Sequence, residues 1–251
     1  MSQMSAPTVA NVRSRYDDWV RMLRYPIYTQ VAALFEHRAI WWSLQQIWHD
    51  ARTELPASML FDFIASSYAT TQAVGVRRLL DRNKRTNSLG GLLEQMDEHN
   101  EVLTRVEFVS RSLWITPGAA DSDFDRFAGV GAVVVNRNRI SSDIVRLRAT
   151  SQTVRTYVDK VIAHTDAIPP DALPSFNELH AAIDAIGEVF LTWHEFLCGV
   201  SVANLIPHPI GDWLAPLRVP WLRPGQFEPR LTEQLQRPPS LRSPPSGARS
   251  E

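Results

Sequence analysis

Apolar residues return along this chain mainly at steps of three and four, the spacing that lines one side of a helix, and seldom at the steps of two of a half-buried strand. Five helical segments follow from that pattern, with a short amphipathic helix at 11–24 ahead of them. That first helix is expected to stop before Pro26, because the residue preceding a proline is pushed out of helical geometry. In 28–52, Val31, Leu34, Phe35, Ile40, Trp41, Trp42, Leu44, Ile47 and Trp48 make an apolar surface wider than one stripe. Such a surface suits a central helix, or a face kept for a partner subunit. Pro56 breaks this segment, and 57–81 then carries Leu60, Ile64, Tyr68, Val76, Leu79 and Leu80 toward the core. Asn87 or Ser88 caps a third helix with Leu89, Leu92, Leu93, Met96, Leu103 and Val106 at helical spacing. Its acidic side, Glu94, Asp97, Glu98 and Glu101, reads as a solvated face. If Ser141 or Ser142 caps the fourth, Ile144, Leu147, Ser151, Val154, Val158 and Val161 form its buried seam. In the fifth, Ser175 and Glu178 make a capping box ahead of Leu179, Ile183, Ile186, Phe190, Trp193, Leu197 and Val200. His180 and His194 lie off that seam and read as surface histidines. Between the third and fourth helices 112–139 loses the period, and a short strand or buried turn is expected at 130–135.

The pattern thus predicts an all-α protein: an N-terminal segment at 1–24, an antiparallel helical bundle at 25–205, and an irregular C-terminus. At 206–235 prolines crowd around Trp213, Leu214, Leu217, Trp221 and Leu222, as in an arm packed on the bundle to about residue 224. The tail at 236–251 is rich in Pro, Arg and Ser without apolar period, and is expected to be disordered. A net charge of -1 over 251 residues gives no overall pull toward nucleic acid or an anionic membrane, so a polyanion would have to be held by local patches. The lone Cys198 excludes an internal disulfide and sits among Phe196, Leu197 and Val200 as a packing residue. No apolar run is long enough to span a bilayer, and a cytoplasmic protein is expected.

Two local features bear on chemistry. Arg77, Arg78, Arg82, Lys84 and Arg85 surround the single Asp81, either as a solvated helix end or as a grip on phosphate. The stretch 153–166, TVRTYVDKVIAHTD, closes the fourth helix with Thr153, Tyr157, Lys160 and His164 along one edge. On an ideal wheel Asp159 points about 140° away from His164. No Glu or Asp has a His three residues later, which removes a di-iron bundle, and the Cys and His spacings fit no zinc site. Asp121, Asp123 and Asp125 lack the glycine and glutamate of a calcium loop. No Gly-x-Ser-x-Gly is present. Metal-free chemistry without a cofactor remains. His164 is suited to an acid or base role near neutral pH, or else to bonding a late carbonyl at a helix end. Lys160 would keep its imidazole neutral and hold a phosphate oxygen, and Tyr157 could stack on a base.

VDKVIAHTD at 158–166 and VGVRRLLDRNKRTNSLGGLL at 74–93 resemble the abortive-infection, AbiU-like branch of the HEPN superfamily over about 25–205. The resemblance implies a small helical bundle, commonly a homodimer, in a superfamily that includes metal-independent ribonucleases. Their motif is an Arg followed, after four to six positions, by a His. Asp159, Ala163 and His164 match it, whereas the Arg window holds Tyr157, Val158 and Asp159 and no cation. Arg155 is too early and lies on the opposite face. The expected function is a metal-independent endoribonuclease of toxin or anti-phage type, with His164, Lys160, Asp159 and Tyr157 at its centre and the 77–85 cations on RNA phosphate. The alternative is an inert helical module that binds RNA, a nucleotide or a partner protein such as an antitoxin through the Trp41, Trp42 and Trp48 face or the Trp213 arm.

Overall fold

Pro26 does not stop the first helix. In the computed structural model, which describes residues 9–51, 59–83, 85–112, 118–163, 172–206 and 212–219, α1 (Val9–Met22) runs through a π-helical turn at Leu23–Ile27 directly into α2 (Tyr28–Asp50). A proline has no N–H to give, and its ring crowds the carbonyl four residues back; one widened turn relieves both. Carbonyls loosened there are taken up locally. Thr29 Oγ1 donates to the Tyr25 carbonyl at 2.8 Å and Gln30 Nε2 to the Pro26 carbonyl at 2.8 Å. Leu23 and Ile27 meanwhile stay fully buried.

Helix α3 (Met59–Leu79) returns beside α2, and Ser88 caps α4 (Leu89–Glu98) by accepting from the Gly91 N–H. Leu60, expected inside, is exposed at the start of α3. The third segment ends at Glu98 instead of continuing to Val106. A 3-10 turn (Asn100–Val102) and a new cap at Thr104 start α5 (Arg105–Arg111), where Val106 faces outward. Helices α6 (Ala119–Ala128) and α7 (Arg137–Thr150) follow. In place of the short strand or buried turn expected at 130–135 there is one isolated bridge, Thr104 with Val134; Val135 is buried and Val130 exposed.

Asn136, and neither Ser141 nor Ser142, caps α7. Ser141 instead donates to Asp97 at 2.8 Å. The acidic side is accordingly a solvated face only at Glu98 and Glu101. Glu94 takes Arg82 at 2.7 Å and Arg148 at 2.6 Å, and the bond from Arg137 holds the Asp97 carboxyl below its ordinary pKa. The fourth segment is also not one helix. It breaks at Ser151, resumes as α8 (Gln152–Tyr157), and closes in a second π turn at Val158–Ile162, sealed by the Ala163 N–H on the Val158 carbonyl at 2.8 Å. Leu147, Ser151, Val154 and Val158 are buried as expected, but the π turn shifts the phase and leaves Val161 exposed.

The central rod is α9 (Phe176–Cys198), which touches α1, α2, α3, α7 and α8. Its capping box forms as the sequence indicates: Ser175 accepts from the Glu178 N–H while Glu178 bonds back to Ser175. Leu179, Ile183, Ile186, Phe190, Trp193 and Leu197 are buried on it, whereas Val200 lies beyond its end and is exposed. The wide apolar surface of α2 therefore flanks the core and does not form its axis. A Cβ on Gly187 would come within 2.3 Å of the Phe35 ring, so glycine sets how closely α9 and α2 approach.

The chain divides into two compact units, 1–207 and 208–251. In the second, Asp212 accepts from the Leu214 N–H at 3.2 Å and pairs with Arg218 across a 3-10 turn at Ala215–Arg218. Pro56, Lys84, Trp114, Pro117, His164, Pro169, Pro170, Trp221, Leu222 and the tail at 236–251 lie outside the described residues. Among those described, no helix is long and apolar enough to cross a membrane.

Candidate functional site

The last turns of α3 bury Val76, Leu79 and Leu80, which turns Arg77 and Arg78 away from the core. Across from them the second π turn buries Val158, 5% exposed, and leaves Asp159 outside. The two elements are joined by Arg77 Nε on Asp159 Oδ1 at 2.8 Å, with side chains 33% and 50% exposed. A guanidinium from α3 thus stands beside the position that follows Val158, five residues before His164. Tyr157 and Lys160 stand on either side of Val158 and Asp159 in the chain, both half-buried, with Tyr157 packed on the core.

The basic cluster does not act as one patch. Arg77 goes to Asp159, while Arg82 turns to Glu94, where Arg148 also lands. Arg155 lines the small cavity beside them, and its buried Nε has no partner among the described residues. The Arg85 N–H bonds the Asn83 side chain at 3.0 Å in the loop, and Arg78 holds that loop through its carbonyl, which accepts from the Asp81 N–H at 3.3 Å. The structure therefore brings Arg77 to the motif stretch and leaves Arg82 on a separate carboxylate.

The α-helical wheel does not extend across this site. It gives each residue 100°, but from Val158 the hydrogen bonds run to the fifth residue. The shared edge of Thr153, Tyr157, Lys160 and His164, and the 140° assigned to Asp159, therefore rest on a geometry that ends at Tyr157.

A second polar group escaped sequence reasoning. Arg38 on α2 is 5% exposed; its Nη1 donates to Asp184 Oδ1 at 2.7 Å and to the His180 carbonyl at 3.4 Å. Its guanidinium lies 4.6 Å from the Phe35 ring centre and 4.7 Å from that of Trp42. Tyr68 bonds His180 Nε2 through its hydroxyl at 2.9 Å, and buried Trp41 stacks on Tyr68 at 4.9 Å and on Phe176 at 5.5 Å. His180 and Asp184 stand four apart on α9, as Arg38 and Trp42 do on α2. That spacing was the available signal, and it marks a pairing only once the two helices are known to touch.

His194 is likewise not a surface residue: it is buried, with Nδ1 3.0 Å from the Val200 carbonyl. Burial pushes the pKa of both histidines below the ordinary value, with Arg38 adding to the effect at His180 and the Val200 carbonyl opposing it at His194. Between the lowered folded pKa and about 6.5, the unfolded chain binds more protons than the folded one. Stability should therefore fall as pH drops below about 6.5. Urea midpoints at pH 7.5 and 5.5 are expected to show this, and His194→Gln should flatten the difference.

Among the described residues no three His, Cys, Asp or Glu side chains gather as a metal site. The family model HEPN_AbiU2, described as AbiU2, matches residues 16–195, a span that includes α3, the second π turn and nearly all of α9. No curated protein and no solved structure matches the chain.

Proposed function

Since this chain belongs to the AbiU2 family of HEPN proteins, and is in that sense an abortive-infection HEPN-type protein, we propose that it cleaves RNA at the seam of α3 and the second π turn. The observation that supports this reading is the Arg77–Asp159 pair. Val158 supplies no cation at the motif, and Arg77 brings one to the next residue from another helix. In the proposed reaction a ribose 2′-hydroxyl loses its proton to a base and its oxygen attacks the adjacent phosphorus. The bond to the 5′-oxygen breaks, and that oxygen leaves with a proton. His164 serves as acid or base, Arg77 and Lys160 face the phosphate, and Asp159 holds the Arg77 fork in place. Two copies of the chain would set two such seams against one another, and a cognate antitoxin would act by covering them.

The test is incubation of the purified chain with structured and unstructured RNA in EDTA. Cleavage leaving 2′,3′-cyclic phosphate and 5′-hydroxyl ends is expected, with His164→Ala slower by about a hundredfold or more and Arg77→Ala also impaired. Intact RNA after incubation with wild type, both in EDTA and in magnesium, rejects the reading. A second reading draws on burial of Val158: a member that has lost the motif Arg to its core would bind RNA, a nucleotide or a partner without cutting. On that reading wild type and His164→Ala are equally toxic, or equally harmless, when expressed.

A further inference from the structure

A cavity of about 660 Å³ opens where the C-terminal end of α9 meets α1, α5, α6 and α7. Its size is that of sites for small organic ligands. It shares no residue with the Arg77–Asp159 seam. The wall is aromatic: Phe196 stacks on Phe127 at 4.1 Å and on Phe108 at 4.9 Å, with Tyr16 beside them. Ser112, Thr192 and Ser201 add hydroxyls.

Four arginines line the cavity, and three are already engaged. Arg111 is held by Asp17 and Glu107. Arg126 pairs with Asp123 at 2.9 Å and lies 3.9 Å from Glu195. Arg24 donates to the Cys198 carbonyl at 3.3 Å, closing the end of α9. The fourth, Arg139, has no carboxylate partner among the described residues. It is exposed, with its guanidinium 4.1 Å from the centre of the Phe127 ring. Arg126, Phe127 and Arg139 also line a neighbouring cavity of about 450 Å³ with Asn136, Asn138 and Ser142. An unpaired cation lying on an aromatic face therefore stands where two openings meet.

We propose that this cavity binds a small planar aromatic anion, its ring against the half-buried sides of Phe108 and Phe127 that the stack with Phe196 leaves open and its carboxylate or phosphate on Arg139. The three carboxylates of the rim lie on Arg111 and Arg126, so an incoming anion meets the two lining cations that have no carboxylate among the described residues: Arg139, whose N–H edge is free, and Arg24, which has one bond to a carbonyl. A guanidinium lying on a ring keeps its N–H edge free, and that edge fits either group in a two-point contact. The apolar wall favours a ring over a bare ion.

The full chain should be titrated calorimetrically, and its melting followed, with benzoate, phenyl phosphate, benzyl alcohol and inorganic phosphate. Saturable binding and a raised Tm are expected with at least one of the two ring-bearing anions, and the one that binds distinguishes a carboxylate from a phosphate ligand. Benzyl alcohol and inorganic phosphate, each lacking one half of the recognition, should bind more weakly. Arg139→Ala should weaken binding about tenfold or more, the loss of one charge-assisted contact, and lower the Tm of the free protein by no more than a few degrees, the loss of one exposed cation–ring contact. Phe127→Leu should also weaken it. The proposal is overturned if neither ring-bearing anion binds, if inorganic phosphate or benzyl alcohol binds as well as the ring-bearing anion that does, or if Arg139→Ala leaves affinity unchanged. Because no residue is shared with the seam, any of these results leaves the RNA reading standing.

Discussion

Trp193→Ala is expected to lower stability by about 3–5 kcal/mol, the range for deleting a large buried aromatic side chain. Trp193 is fully buried on α9, edge-on to Phe127 at 5.1 Å and to Phe196 at 5.9 Å. Its Nε1 donates to Asp143 Oδ2 at 2.9 Å, tying α9 to α7. The substitution opens a cavity between these helices and leaves a half-buried carboxylate without that donor. Trp193→Phe keeps most of the packing but loses the hydrogen bond, and should cost about 1–3 kcal/mol. Natural domains are stable by roughly 5–15 kcal/mol, so the alanine change removes a large share of the total. Urea unfolding followed by circular dichroism reads both; a wild-type midpoint for Trp193→Ala would show that α9 is not the axis of the core.

Local chemistry made α9 legible before any coordinates. The Ser175 and Glu178 box needs only four consecutive residues, and the three-four seam from Leu179 to Leu197 has one periodicity throughout. Asn87 or Ser88 marked the start of α4, and Ser88 is the cap. The two π turns left no such mark. Pro26 ordinarily signals a stop, and nothing in the neighbouring residues announces that a widened turn absorbs it. The second π turn lies at Val158–Ile162, where the candidate edge was drawn, so an α-helical wheel misplaced its far half. Arg77 and Asp159 were each singled out, for different reasons, but they are 82 residues apart and only the packing of α8 and its π turn on α3 pairs them. Arg38 was invisible because apolar patterning assigns a charge to the outside. A long side chain can instead bury its stem and place its head between rings, as Arg38 does with Phe35 and Trp42.

That buried charge gives the second large effect: removing its partner should be more harmful than removing the charge itself. In Asp184→Ala the Arg38 guanidinium loses its only carboxylate among the described residues. It keeps two ring faces and one carbonyl at 3.4 Å. Stranding a buried charge in this way costs 3–5 kcal/mol where both partners are enclosed, and about 3 kcal/mol is expected here because the Asp184 side chain is 56% exposed and water reaches that end. Arg38→Met should instead fall within about 1 kcal/mol of wild type. Met fills a similar volume between Phe35 and Trp42, and it removes an Nε that is buried without a partner. Combining the two changes tests the coupling. With Met at 38, Asp184→Ala leaves no stranded cation and should cost little, so the double variant should be more stable than Asp184→Ala alone. Arg38 also helps to hold the His180 pKa down, so the ring should titrate at higher pH in Arg38→Met, observable by NMR. If Asp184→Ala costs the same with Arg or Met at position 38, the ion pair carries no coupling. The buried guanidinium would then be supported by its aromatic neighbours and the His180 carbonyl.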